Sequence, residues 1–379
     1  MSTPPADARR ADLDWLRVLA FALLILYHAG MPWSGWGWHI EAEEPLDALR
    51  AVMRFMNRWR MPLIFLVSGA AIALALGQRS PLEFVRDRMH RLLLPLLFGM
   101  VVLVPPQVWV ERRYRGQFAG SFVEFLPRAF DGVYPAGNLS WHHLWFLAYV
   151  LVLTLILLPF FVWARSPAGA ARLDALADLS ARFRLSWMLA LPVAATLLWL
   201  QPLSSNPNGL IGDWFGLAYY GLFLLFGAVV FRAPRWLDAL ARDRWFALAV
   251  GVATWTALNL IFIRGEVRPR IAADERLWFV LVQAINTVAW LLTILGFARR
   301  YLVARPPFLA AATEAVYPFY MLHQTITVLV AWGVLALGIA PAAGYLVTVF
   351  ATFAGSAALY LLLIRSRRWL RPLFGMKPA

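Results

Sequence analysis

The sequence predicts an all-α, polytopic membrane protein of about ten transmembrane helices with both termini cytoplasmic, and three observations predict it. Of the 379 residues 61% are hydrophobic and 15% charged, with a mean hydropathy of +0.64, which leaves too little polar surface to cover a soluble globule. Ten apolar runs have the length, about 17 to 25 residues, that a helix needs to cross a hydrocarbon core of about 30 Å. Basic residues alternate between successive loops: 23 of the 35 fall on one set, which positive-inside reasoning assigns to the cytoplasm together with both chain ends.

The first run, near 15–34, follows "MSTPPADARRADLDW", which lacks a signal-peptide apolar region ending in a small-residue cleavage site. It is therefore expected to stay in the mature protein. The second lies near 58–77 and the third near 92–110, where Pro95, Pro105 and Pro106 are expected to kink the helix or end it early. The others lie near 144–164, 186–203, 213–231, 245–263, 276–297, 315–337 and 343–364. Segments 35–57 and 111–143, rich in Gly, aromatic and charged residues, are the outer loops large enough for a partial lid. With no repeat and no long linker, one membrane-embedded domain is expected over 10–370, with short cytoplasmic tails at 1–9 and 371–379.

A formal net charge of +14 would suit nucleic acid, but the arginines are spread over short segments between apolar runs and form no basic domain or stripe, so that partner is excluded. The absence of cysteine removes disulfides, thiolate metal sites and acyl-thioester enzyme intermediates. No metal and no permanently bound cofactor are expected.

Ionisable groups at membrane depth are costly and point to function. In "DWLRVLAFALLILYHAGMPW", His28 lies eleven residues beyond Arg17, about three turns and roughly 16 Å along the same helix face. Asp14, three residues before Arg17, is placed to hold its guanidinium. Arg17 alone could snorkel to headgroups; His28 is too deep for that. His323, in "EAVYPFYMLHQTITVLV", reaches a similar depth beside Gln324. His142 and His143 open the fourth run at the outer interface, and His39 is expected to play a surface role in an outer loop. His90 lies at the opposite end, in "VRDRMHRLLLP". There Arg88 and Arg91, three apart with Arg86 nearby, offer either a fork for phosphate oxygens or an ordinary positive-inside anchor.

Taken together, "DLDWLRVLAFALLILYHAG", "WRMPLIFLVSGAA", the Arg88-x-x-Arg91 pair, "HLWFLAYVLV" and "YPFYMLHQTI" resemble the integral-membrane acyltransferase-3 family, in particular its bacterial branch that includes the periplasmic-glucan succinyltransferases. The resemblance runs through most of the chain. It implies ten core helices in a bacterial inner membrane and transfer of an acyl group, acetyl or succinyl, from cytoplasmic acyl-CoA to a hydroxyl of an extracytoplasmic carbohydrate. Carried over by position, His28 is catalytic, Arg17 supports it or the donor, and Arg88 and Arg91, with Arg86, meet the donor phosphates. His323 is read as a further catalytic group, and Tyr317, Tyr320, His143 and Ser68 as substrate contacts. The implied partners are the acyl-CoA donor, the carbohydrate acceptor and the lipid bilayer. Two departures stand out. Ala70 follows Ser68-Gly69 where many members carry Phe, and the chain ends about fifteen residues after its last run, which implies no appended esterase-like domain. The alternative is a multi-pass transporter or flippase for a polar or anionic solute, which often shows an internal half-repeat not found here.

Overall fold

The computed structural model describes residues 10–77, 79–267 and 275–377. The tail 1–9, with Arg9, and residues 378 and 379 of the other tail lie outside the described residues. The chain is all-helical: α1 Ala11–Gly30, α2 Asp47–Asn57, α3 Arg60–Leu76, α4 Pro81–Arg88, α5 Leu94–Phe98, α6 Pro105–Tyr114, α7 Phe122–Phe125, α8 Trp145–Ile156, α9 Leu158–Ala164, α10 Pro167–Phe183, α11 Ala190–Ala195, α12 Trp214–Val230, α13 Pro234–Val267, α14 Glu275–Tyr301, α15 Pro307–Ala336 and α16 Pro341–Leu359. Among the described residues the one β-type pairing is an isolated bridge between Val133 and Leu139.

Seven helical segments are each long and apolar enough to cross a membrane: Ala11–Trp33, Asp47–Leu76, Pro81–Tyr114, Leu185–Leu203, Glu275–Tyr301, Pro307–Ala336 and Pro341–Ile364. Two bent pairs, His142–Ile156 with Leu158–Ala164 (57°) and Trp214–Val230 with Pro234–Leu260 (107°), are each a broken span or a re-entrant loop, which gives seven to nine candidate spans among the described residues. The expected count of ten takes 213–231 and 245–263, the pair bent by 107°, as separate crossings. This is a polytopic membrane protein.

The prolines of the third run do not end it. Two π-helical stretches, Met89–Leu93 and Gly99–Leu103, absorb the missing donors, with Leu94 N bonded to Met89 O and Val104 N to Gly99 O, so the helix continues through Pro81–Tyr114. Pro95 has no N–H for the carbonyl four residues earlier, Arg91 O, and the Tyr317 hydroxyl donates to that oxygen instead, at 2.8 Å. Beyond Pro105 and Pro106 the Gln107 N–H turns to Val104 O, and the Leu103 carbonyl receives the Thr325 hydroxyl at 2.6 Å and Gln107 Nε2 at 3.1 Å.

The residues fall into two compact units. One comprises 1–20, 58–78 and 156–313. In it α3 and α12 meet through glycine: a Cβ on Gly69 would stand 1.8 Å from Leu224 O, and one on Gly227 1.8 Å from Leu66 O, so only hydrogen fits at either point. Asn286 on α14 reaches α13 through Gly251 O at 3.0 Å and Thr254 Oγ1 at 2.9 Å. A cavity of about 230 Å³ here is lined by Ala70, Leu74, Phe160, Arg165 and Arg232. Ala70, where many family members carry Phe, is one of its lining residues.

The other unit comprises 21–57, 79–155 and 314–379. Its apolar core gathers Trp33, Ile40, Val110, Val328, Ala331 and Val334, all buried. Gly344 lets α16 approach Trp33, whose ring would lie 2.9 Å from a Cβ there. The expected lid segment is ordered by Arg112, which donates to Gly137 O at 2.7 Å, Pro135 O at 2.8 Å and Asn138 Oδ1 at 3.1 Å.

Candidate active site

The second unit brings three of the named histidines together. His28, near the end of α1, and His323, on α15, face each other with His28 Nδ1 2.7 Å from His323 Nε2. The rings are 18° from parallel with centroids 5.0 Å apart, so they meet edge to edge in nearly one plane, as an N–H···N bond requires. His323 Nδ1 lies 2.5 Å from Tyr320 O. A carbonyl only accepts, so His323 carries its proton on Nδ1, and the neutral ring offers a lone pair at Nε2. His28 therefore donates from Nδ1, and its own lone pair is left on Nε2. The order carbonyl, imidazole, imidazole fixes the tautomer of the second ring as a buried carboxylate fixes it in hydrolase triads.

His143 closes the cluster. Its Nε2 donates to Met321 O at 3.0 Å, and its ring stands at 86° to His323 with centroids 5.2 Å apart. That bond leaves the Nδ1 lone pair buried with no described partner. Gly99 makes room for this segment, since a Cβ there would stand 2.3 Å from Leu144 Cδ1. Both tyrosine hydroxyls are spent on the main chain: Tyr320 donates to His143 O at 2.7 Å, and Tyr317 to Arg91 O at 2.8 Å. They brace the site and have no proton left for an oxyanion.

The basic motif is arranged differently from a symmetric fork. Ser80 and Glu83 form a capping box that starts α4, and the π turn after Arg88 breaks the even i, i+3 spacing to Arg91. Arg88 is buried against Phe84, its guanidinium 5.1 Å from the ring centroid, and donates to Asp87 Oδ2 at 2.5 Å, while its Nε has no described partner. Arg91 is half-buried and Arg86 exposed. Arg17 and Ser68 belong to the first unit. Arg17 Nη1 lies 3.8 Å from Asp14 Oδ1, as its spacing predicts, and Ser68 Oγ donates back to Ile64 O at 2.8 Å.

The expected surface role of His39 is overturned. Its side chain is buried, and Nδ1 lies 2.5 Å from Oε2 of Glu111, a carboxylate that is 0% exposed. Oε1 of Glu111 receives Tyr134 Oη at 3.1 Å and Arg115 Nη1 at 3.1 Å. Burial first, then the Glu111 charge, pushes the Tyr134 phenol above its ordinary 10, so it remains a donor. Glu111 was missed because "VWVERRY" reads as the polar end of a span. Gln107 and Glu111, four apart on one face of an apolar helix, were the available signal.

Comparison with known proteins bears on the same residues. The chain is similar to "Glucans biosynthesis protein C" of Salmonella paratyphi A, 26% identical over 244 residues, 62% of this chain and 61% of that protein. It is similar to the protein of the same name from Salmonella heidelberg, 28% identical over 167 residues, 43% of this chain and 41% of the relative. The chain thus matches less than two thirds of the length of these curated relatives. No solved structure matches it. The sequence model described as "Acyltransferase domain" matches residues 10–361, a range that contains α1, the Arg88 and Arg91 motif and both imidazoles of the central pair. The chain belongs to the acyltransferase-3 family.

Proposed function

We propose that this protein moves a small acyl group, such as acetyl or succinyl, from acyl-CoA to a hydroxyl of a carbohydrate across a bacterial inner membrane. The observation that carries the reading is the His28–His323 pair, whose hydrogen-bond order makes His28 Nε2 a proton acceptor. The family supplies acyl transfer, and the name of the relatives supports a glucan as the acceptor.

In the proposed step the acceptor oxygen attacks the thioester carbonyl carbon while its proton passes to His28 Nε2. The C–S bond breaks, and the same proton goes on to the CoA thiolate, which leaves ester and thiol. While His28 is doubly protonated its Nδ1–H bonds to His323 Nε2, and the Tyr320 carbonyl keeps His323 in the tautomer that can accept it. A positioned base of this kind contributes about 10²–10⁴ in rate. The lone pair on His143 Nδ1 takes a substrate hydroxyl. Arg88 and Arg91 hold donor phosphates, Arg86 attracts them from the surface, and Arg17, oriented by Asp14, supports the donor end.

The test is His28→Ala in a strain lacking the native gene, at matched protein levels, with acylated glycan read by mass spectrometry. Loss of the acyl mass is expected; wild-type acylation would remove His28 from the mechanism.

A further inference from the structure

His39, Glu111 and His142 form a second polar group that the transfer step leaves unused. The direction of every hydrogen bond around His39 can be worked out from one carbonyl. Leu103 O only accepts, so Gln107 presents Nε2 to it at 3.1 Å and Oε1 at its other end. Gln324 Nε2 donates to that oxygen at 3.1 Å and reaches His39 Nε2 at 3.2 Å. An amide N–H only donates, so His39 Nε2 is an acceptor and its proton lies on Nδ1, given to Glu111. His142 is held the opposite way. Ser140 Oγ takes the His142 main-chain N–H at 3.0 Å and has His142 Nδ1, at 2.8 Å, as the one acceptor for its own proton among the described residues, so that proton is assigned to the Ser140–His142 bond. The ring proton of His142 is then on Nε2, buried and without an acceptor among the described residues.

The two rings lie with centroids 4.4 Å apart, and one nitrogen of each is within 4.8 Å of the other and of a Glu111 oxygen. His142 holds its place with φ +39°, a backbone conformation rare outside glycine and concentrated at functional sites. A lone pair on His39 and an unmatched N–H on His142, on rings whose centroids are 4.4 Å apart, are the complement of an alcohol. Its oxygen would receive His142 Nε2–H, and its proton would replace the Gln324 amide on His39 Nε2, one donor for another at the longest bond of the relay. Trp38 against His39, at 4.8 Å, and Tyr134 edge-on to His142, at 5.0 Å, add apolar ring surface that suits a sugar.

We propose that His39 and His142, backed by Glu111, hold a hydroxyl of the carbohydrate acceptor other than the one that reacts; this rests on the carbohydrate reading above. The acceptor class is then a polyol with at least two hydroxyls held at once, one at His28 and one here. A divalent cation would also accept the spacing of these three residues. It would have to displace the proton between His39 and Glu111 and meet the Arg115 guanidinium, 3.1 Å from the carboxylate, whereas a hydroxyl disturbs neither.

The test is calorimetric titration of the full-length protein in detergent with a linear oligoglucoside, without acyl donor. His142→Phe, which removes the donor, is expected to weaken binding tenfold or more, and His142→Gln, which restores an N–H, to recover most of it. Ser140→Ala, which frees the His142 tautomer without touching the sugar, should weaken binding several-fold and serves if the Phe variant does not fold. Unchanged affinity in a folded His142→Phe or Ser140→Ala, no saccharide binding by the wild type, or a stoichiometric divalent metal that is lost in His142→Phe would each overturn the proposal. Release of free CoA from acyl-CoA on adding the saccharide is followed in parallel. Binding that depends on His142 without CoA release would leave this site standing and remove the transfer reading; CoA release that does not depend on His142 would do the reverse.

Discussion

His28 Nδ1 donates to His323 Nε2 across 2.7 Å, and the direction of that bond is set by a third group, the carbonyl of Tyr320. Two neutral imidazoles have no intrinsic preference for which donates. The carbonyl removes the ambiguity, so an uncharged pair acquires the polarity that a carboxylate usually gives.

His323→Ala is expected to lower acyl transfer by about 10²–10⁴, and adding it to His28→Ala to change little more, because both act on one proton. Transfer rates of the two single variants and the double variant in membranes check this; multiplicative losses would show that the two act separately.

Gly69→Ala and Gly227→Ala each place a methyl group against immovable main-chain oxygen and are expected to destabilise the first unit by about 3 kcal/mol or more. Gly333→Ala, on exposed α15 surface with nothing within 4 Å of the new Cβ, should be neutral or add up to about 1 kcal/mol through helix propensity. Thermal unfolding in one detergent separates the three.

For the arginines, Arg88→Ala should weaken acyl-CoA binding about tenfold or more, since a charge-assisted hydrogen bond is worth about 1.5–3 kcal/mol, while Arg86→Ala, exposed, stays within about twofold. Binding of a non-hydrolysable acyl-CoA analogue at low and high salt checks both. The Arg86 effect should vanish at high salt and the Arg88 effect persist, because buried pairs are screened less.

Tyr317→Phe should cost about 1 kcal/mol, the net worth of a hydrogen bond to Arg91 O, or slightly more because that carbonyl loses its donor. In a Pro95→Ala background the regained N–H competes for the same oxygen, so the cost should shrink. A double-mutant cycle on unfolding temperature measures the coupling.

The membrane class and the apolar runs were legible because hydrocarbon allows only one solution for a run of twenty apolar residues, and Arg17 with Asp14 was legible because helical spacing alone determines it. His28 and His323 stood out by the cost of placing imidazole there. Their pairing did not, because 295 residues separate them and nothing local encodes the contact. In the third run the prolines do not bring the early end that was one of the two expected effects, since that depends on whether a partner elsewhere takes the carbonyls left open, and Tyr317 and Thr325 do so from α15. His39 misled because a loop histidine reads as surface until its carboxylate is found.

Those two orphaned carbonyls have a mechanical consequence. Tyr317 and Thr325 fasten α15 to Arg91 O and Leu103 O, on either side of His323. A rod pinned at two heights can roll a little about its length but cannot slide. A movement of α15 that engages or releases His28 is therefore a rotation of His323 about the α15 axis, and the level of His323 along that axis stays constant while substrates come and go.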